Sequence, residues 1–186
     1  MKVYNEELVK KAIRDLLIGI GEDPKREGLV ETPDRVARMY KELCYKSLPD
    51  GKSTYLDRNF NSNKNELMIV KDIPFYSFCE HHIMPFFGKV HIAYNLKGKI
   101  IGLSKIYREI EYLSGGLHVQ EELNNKIYNS FISLYDDIKL IVLMKAEHLC
   151  VSMRGIKKQN SSFITIKKTD NVTNEELEYF IKMVGD

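Results

Sequence analysis

The chain has 186 residues, enough for one ordinary domain with a proper core, and its 44% hydrophobic and 29% charged residues are those of a soluble globular protein. A formal net charge of +2 gives no overall basic field for nucleic acid, so any anion site must be a local cluster. Three cysteines are too few and too odd in number for a disulfide framework, and no stretch approaches the ~20 apolar residues of a membrane span. The start, Met1-Lys2-Val3-Tyr4-Asn5-Glu6, has no apolar run of signal-peptide type, so a reducing cytoplasm is expected, where thiolates stay available.

Asn5 is placed to cap a helix through about Ile20, with Leu8, Ala12, Leu16 and Ile20 at helical spacing and Gly19 and Gly21 marking its end. Glu22 to Glu31 reads as a loop. Thr32-Pro33 predicts a second helix start, followed by an apolar stripe of Val36, Met39, Tyr40 and Leu43. Arg35 and Arg38 lie on another face of it. Cys44 has no ligand neighbours and reads as structural. Ser47 to Asn65 is the predicted linker, with Pro49, Asp50 and Gly51 and then an asparagine-rich run. Residues 1–65 thus form a helical segment with linker, and residues 66–186 carry the chemistry.

Leu67 to Ile73 reads as a strand that Pro74 interrupts, and Phe75 to Phe78 leads into Cys79-Glu80-His81-His82. This turn packs a thiol, a carboxylate and two imidazoles into four residues, in a chain with only five histidines. Cys79 and His82 have the spacing with which a short turn aims two side chains at one zinc ion. Phe86 to Tyr94 is a second strand, Lys97-Gly98 a hairpin turn, and Lys99 to Leu103 a returning strand. Ser104 is predicted to cap the next helix, with Ile106, Ile110 and Leu113 on one face. Lys105 and Arg108 fall near its start, where cations oppose the helix dipole unless an anion binds there.

Gly115-Gly116 breaks that helix, and another is expected near His118, with Gln120 and Glu121 in its first turn and Val119, Leu123, Ile127, Phe131 and Leu134 along one stripe. Ile138 to Val151 reads as one strand. Period two would then turn His148 and Cys150 to the same face, roughly 7 Å apart. Cys150 would be a third metal ligand, leaving the fourth tetrahedral position to water, with His148 beside it as acid or base. Phe163 to Lys168 alternates as a strand, and Thr173 with Glu176 makes a capping box for a last helix striped by Leu177, Phe180, Ile181 and Val184.

Five stretches, Phe75–His82, Pro85–Val90, Gly102–Lys105, Val119–Glu121 and Met153-Arg154-Gly155, resemble GTP cyclohydrolase I, as does Glu31-Thr32-Pro33 followed by Arg35 to Tyr40. The likeness runs in order from about Pro24 to Ser161. It implies an α+β tunnelling fold, an antiparallel sheet backed by two antiparallel helices and preceded by N-terminal helices. It also implies a homo-oligomer, typically a decamer of two pentamers, with active sites between subunits. The implied reaction hydrolyses GTP to 7,8-dihydroneopterin triphosphate and formate, the first step of tetrahydrofolate or other pterin biosynthesis.

By position, the resemblance implies zinc on Cys79, His82 and Cys150, with His148 as the acid that protonates the purine at N7 and His81 as a second proton-transfer group. Glu121 would read the guanine edge, with Gln120 beside it. Ser104, Lys105, Arg108 and Arg154 would hold the triphosphate, joined by Arg35 and Arg38 from a neighbouring subunit. Gly115-Gly116, His118 and Glu122 stand where relatives often carry Arg, Gln and Arg. Two other readings are weighed. The nitrile reductase of queuosine synthesis shares the fold but carries a signature absent here. A non-enzymatic zinc module would use Arg154, Lys157 and Lys158 on nucleic acid, which the near-neutral charge disfavours.

Overall fold

Asn5 starts the first helix by local chemistry: its Oδ1 accepts the Leu8 N–H at 3.0 Å, and α1 runs Glu6–Gly19. The chain leaves it through Gly21, whose φ of +87° suits only glycine at low cost. In this computed structural model, residues 4–44, 54–63 and 65–185 are described. The chain divides into two compact units, Met1–Ser47 and Leu48–Asp186. In the first, α1 pairs with α2, Thr32–Cys44. Lys10 ties them, with its Nζ 3.1 Å from Glu6, 3.0 Å from Glu7 and 3.0 Å from Asp34.

The second unit has β1 (Asn59–Asn61), β2 (Met68–Cys79), β3 (Met84–Asn95), β4 (Lys99–Ile101), α3 (Leu103–Ser114), β5 (Leu117–His118), α4 (Gln120–Ile132), β6 (Lys139–His148), α5 (Leu149–Ser152), β7 (Phe163–Lys168) and α6 (Asn174–Val184). It is a mixed α+β arrangement. The main sheet has the order β5-β2-β3-β6-β7, antiparallel except for the short parallel β2–β5 pairing. Alternation along the strands sorts side chains between two faces. Val90, Ile92 and Tyr94 of β3 and Leu140, Val142 and Met144 of β6 share one core with Ile106 and Ile110 of α3 and Leu123, Ile127 and Phe131 of α4. Ala93 and Ile141 point the other way and meet Phe180 of α6. Phe180 is fully buried, which contributes about 1.5–3 kcal/mol. The capping box that starts α6 is formed in both directions.

Several expectations change in the structure. β2 runs through Pro74 without interruption, and Pro74 stands opposite Lys89. The tolerance has a cause: β5 flanks only Phe78 and Cys79, so at Pro74 the far side of β2 needs no N–H donor. The irregularity sits instead at Lys71-Asp72, where the register shifts and Asp72 takes φ +60°. The turn at Lys97-Gly98 forms, but β4 does not pair back onto β3. Both edges of β3 are taken by β2 and β6, so β4 pairs with β1.

Residues 54–63 of the predicted linker are built into the second unit. Leu56 is fully buried, its carbonyl accepts from the Tyr135 hydroxyl at 2.8 Å, and the Tyr55 N–H donates to the buried Glu109 carboxylate at 2.7 Å. The rest of that stretch, 47–53 and 64, falls outside the described residues except for Asn65. Ser104 is the second residue of α3 rather than its cap. Gly102 takes the cap position, and no side chain bonds there. The strand expected to reach Val151 ends at His148, and Cys150 lies in the helical turn α5. The shared strand face of His148 and Cys150 is therefore not the reason the two come near each other.

Candidate active site

The β2–β3 hairpin makes the first half of the site. Cys79 closes the ladder opposite Met84, and the four residues between them form the turn. The Ile83 N–H donates to the Cys79 carbonyl at 2.8 Å, which requires a φ of +55° at Ile83. A β-branched residue in the left-handed region stores strain on the order of 1–3 kcal/mol. The turn so closed brings His82 back toward Cys79. His81 Nδ1 lies 3.8 Å from the Cys79 sulfur.

The second half comes from β6, which pairs with β3 so that His148 faces Phe86. The next residues leave the strand as α5. This helical turn, and not continued pleating, carries the Cys150 thiol to the hairpin. Ligand atoms of Cys79, His82 and Cys150 all lie within 4.8 Å of one another. Zn–S bonds near 2.3 Å and Zn–N bonds near 2.0 Å place tetrahedral donors about 3.5–4 Å apart, so the group fits such an ion with small closure. None of the three cysteines is in a disulfide. Burial and the neighbouring Cys79 push the Cys150 thiol up, a conflict that a cation between the two sulfurs would relieve.

His148 stacks on Phe86, with ring centroids 4.7 Å apart and planes 2° from parallel, and Phe163 meets it edge-on at 6.3 Å. Its Nε2 lies 2.9 Å from Gln120 Oε1. Burial pushes the imidazole down, while the Glu121 carboxylate pulls it back up, so Glu121 lies within electrostatic reach of His148. Arg154, at the end of α5, has its guanidinium 3.3 Å from His82 Nε2.

β5 joins the β2–β3 turn to the start of α4. His118 stands opposite Cys79, the Glu80 N–H donates to the His118 carbonyl at 3.1 Å, and the Phe78 N–H donates to the Gly116 carbonyl at 3.2 Å. His118 Nδ1 lies 3.0 Å from the buried Ser77 hydroxyl, and burial pushes the imidazole down to about 4. Two residues later α4 opens with Gln120 and the exposed Glu121.

Matches to known proteins decide the family: the chain fits the description GTP cyclohydrolase I over residues 9–183. The chain belongs to the GTP cyclohydrolase I family. Curated relatives named GTP cyclohydrolase 1 include those of Acetivibrio thermocellus, 45% identical over 182 residues (94% of this chain, 96% of the relative), and Clostridium kluyveri, 41% identical over 175 residues (94% of each). The Bacillus subtilis protein of that name is 42% identical over 166 residues, 89% of this chain and 87% of its own.

The second unit of this family member brings together Cys79, His81, His82, His148, Cys150, Gln120, Glu121 and Arg154. Ser104, Lys105 and Arg108 occupy the first two turns of α3, whose first turn holds no acid. Ser104 and Arg108 are exposed and Lys105 is half-buried. Arg35 and Arg38 lie exposed on α2 of the other unit, where Arg35 pairs with Glu31 at 2.6 Å. Sequence reasoning missed Ser77, Phe86 and His118 as parts of the site. A two-residue strand such as β5 leaves no periodicity to read, and a buried serine or phenylalanine carries no signal of its own.

Proposed function

We propose that this GTP cyclohydrolase I family member is a zinc-dependent hydrolase that converts GTP to 7,8-dihydroneopterin triphosphate and formate. The observation that carries the metal part of the reading is the convergence of Cys79, His82 and Cys150. Three protein donors are the number that leaves a tetrahedral ion one position for solvent. When bound there, zinc supplies a Lewis acid that makes water a nucleophile near neutral pH.

The chain's own groups do the rest. His148 holds a proton for the purine N7, since hydration at C8 needs that nitrogen protonated. Its imidazole has the right intrinsic basicity for such transfer near neutral pH. His81, exposed at the hairpin tip, serves a later proton transfer as the imidazole ring opens and the ribose carbons are rebuilt. Glu121 accepts from the guanine N1–H and 2-amino group. Ser104, Lys105, Arg108 and Arg154 bind the triphosphate, a charge-matched role for a helix whose first turn holds Lys105 and no acid, with Arg108 one turn on. Arg35 and Arg38 of a neighbouring subunit complete the phosphate site.

Assembly as a homo-oligomer on a tunnelling fold, typically a decamer of two pentamers, is part of the same reading. β7 supports it: among the described residues this strand has β6 as its one neighbour, and it leaves Phe163, Ile164 and Ile166 about half exposed. The cytoplasm suits both thiols, and among the described residues no helix is long and apolar enough to cross a membrane. The test is GTP-dependent formate release by protein of measured zinc content. Formate release that is lost with chelator and restored by zinc is expected. Release that persists in metal-free protein would overturn the reading.

A further inference from the structure

Gln120 is 1% exposed, and its side-chain amide is fully used inside the fold. Nε2 donates toward the Met144 carbonyl at 3.2 Å, the Phe163 carbonyl at 3.1 Å and the Thr165 hydroxyl at 3.2 Å. Carbonyls only accept, so the NH2 end must face them; a flipped amide would set oxygen against oxygen. Oε1 is thereby turned to His148, 2.9 Å from Nε2. An amide oxygen also only accepts, so Nε2 must carry the hydrogen. The neutral ring then has its lone pair on Nδ1, which has no hydrogen-bond partner among the described residues. Parallel stacking on Phe86 fixes the ring plane, and of the two orientations in that plane the observed one sets Nε2 rather than a ring carbon against the Gln120 oxygen.

We propose that Gln120 is a positioning residue that holds His148 in the Nε2–H tautomer and reserves Nδ1 for the proton passed to substrate. This rests on the reading of His148 as the proton donor. It gives the Gln120 side chain a task in place of the substrate contact expected from its neighbourhood to Glu121. The acceptors that fix the Gln120 amide lie on β6 and β7, so the last strand of the sheet acts on the reacting imidazole through one amide.

The test is solid-state NMR of the zinc-loaded full chain labelled with 15N,13C-histidine, with His148 signals assigned by difference from His148→Asn. In substrate-free protein with the ring neutral, the expected spectrum shows a protonated Nε2 and a bare Nδ1, which takes up a solvent proton before passing one to N7. A bare Nε2 in wild type would overturn the proposal and leave the role of His148 intact. Kinetics of Gln120→Met supply the second arm. The turnover number should fall about 10–100-fold, the range for removing an outer partner of a site histidine, with KM for GTP and zinc content unchanged. A raised KM with unchanged turnover would make Gln120 a substrate contact and overturn the proposal. Should that variant not fold, the wild-type spectrum still decides. Full turnover in His148→Ala would instead remove the parent reading, whatever tautomer is found.

Discussion

The Ile83 N–H reaches the Cys79 carbonyl at 2.8 Å, and Ile83 sits at φ +55° to make that bond. The hairpin that presents Cys79 and His82 is thus closed by a residue in a backbone region it disfavours. Ile83 is half exposed, so its side chain loses little on removal. Ile83→Gly is expected to stabilise the fold by about 1 kcal/mol, the size of the left-handed penalty for a non-glycine residue. Chemical denaturation with and without zinc measures it. A loss of stability would mean that the side chain matters more than the backbone.

Cys150→Ala is expected to abolish stoichiometric zinc while leaving the far-ultraviolet circular dichroism unchanged. The two remaining donors, Cys79 and His82, are too few for a structural or catalytic zinc. Metal analysis of the purified variant beside wild type checks this. Zinc retained at one per chain would remove Cys150 from the centre.

Arg108 stands exposed in the second turn of α3. Arg108→Ala is expected to raise KM for GTP by about 10-fold or more, since one charge-assisted hydrogen bond contributes ~1.5–3 kcal/mol. Zinc content should not change. Unaltered affinity for GTP would refute the placement of the triphosphate on this helix.

Gly88 lies opposite Ala146 where β3 pairs with β6, and a Cβ built there would fall 2.0 Å from the Lys145 carbonyl oxygen. Backbone on a central strand cannot move aside as a flexible side chain would. Gly88→Ala is expected to destabilise the second unit by about 1–3 kcal/mol or more. Urea unfolding followed by tyrosine fluorescence measures the change.

Lys139 beside Glu176, 2.6 Å away, holds that carboxyl below the usual glutamate value, helped by the Thr173 N–H. A lowered folded value means that the stabilisation is complete above the ordinary value near 4.5 and is lost as pH falls through the folded one. Glu176→Gln keeps the capping geometry and removes the ion pair. It should cost about 1 kcal/mol at pH 7, and the gap to wild type should close on acidification below 4.5. Thermal melts at pH 7 and pH 3.5 read both values. A gap independent of pH would mean that the pair contributes nothing.

Where local chemistry decides, the sequence was legible. Asn5 and Thr173 bind the backbone within three residues, and both helix starts appear as expected. Cys79 and His82 share one short turn, so spacing alone paired them. Prediction failed where distant chain decided. Nothing near Lys99 says that both edges of β3 are occupied, so β4 was assigned to the wrong partner. Cys150 does come within reach of Cys79 and His82, but not by the strand geometry expected, because Leu149–Ser152 turns helical although Leu, Cys and Val also suit a strand. Gln120 was read by its neighbour Glu121, yet its partners lie 24, 43 and 45 residues downstream.

The candidate metal donors sit at positions 79, 82 and 150, and α5 follows directly on β6. During synthesis, the hairpin leaves the ribosome with two donors and no third. The three candidate donors come together only after β6 has zipped onto β3, so capture of an ion there would report on long-range order and come late in folding. Release of zinc should accordingly track the opening of that strand pair, which makes metal loss an early warning of a chain beginning to come apart.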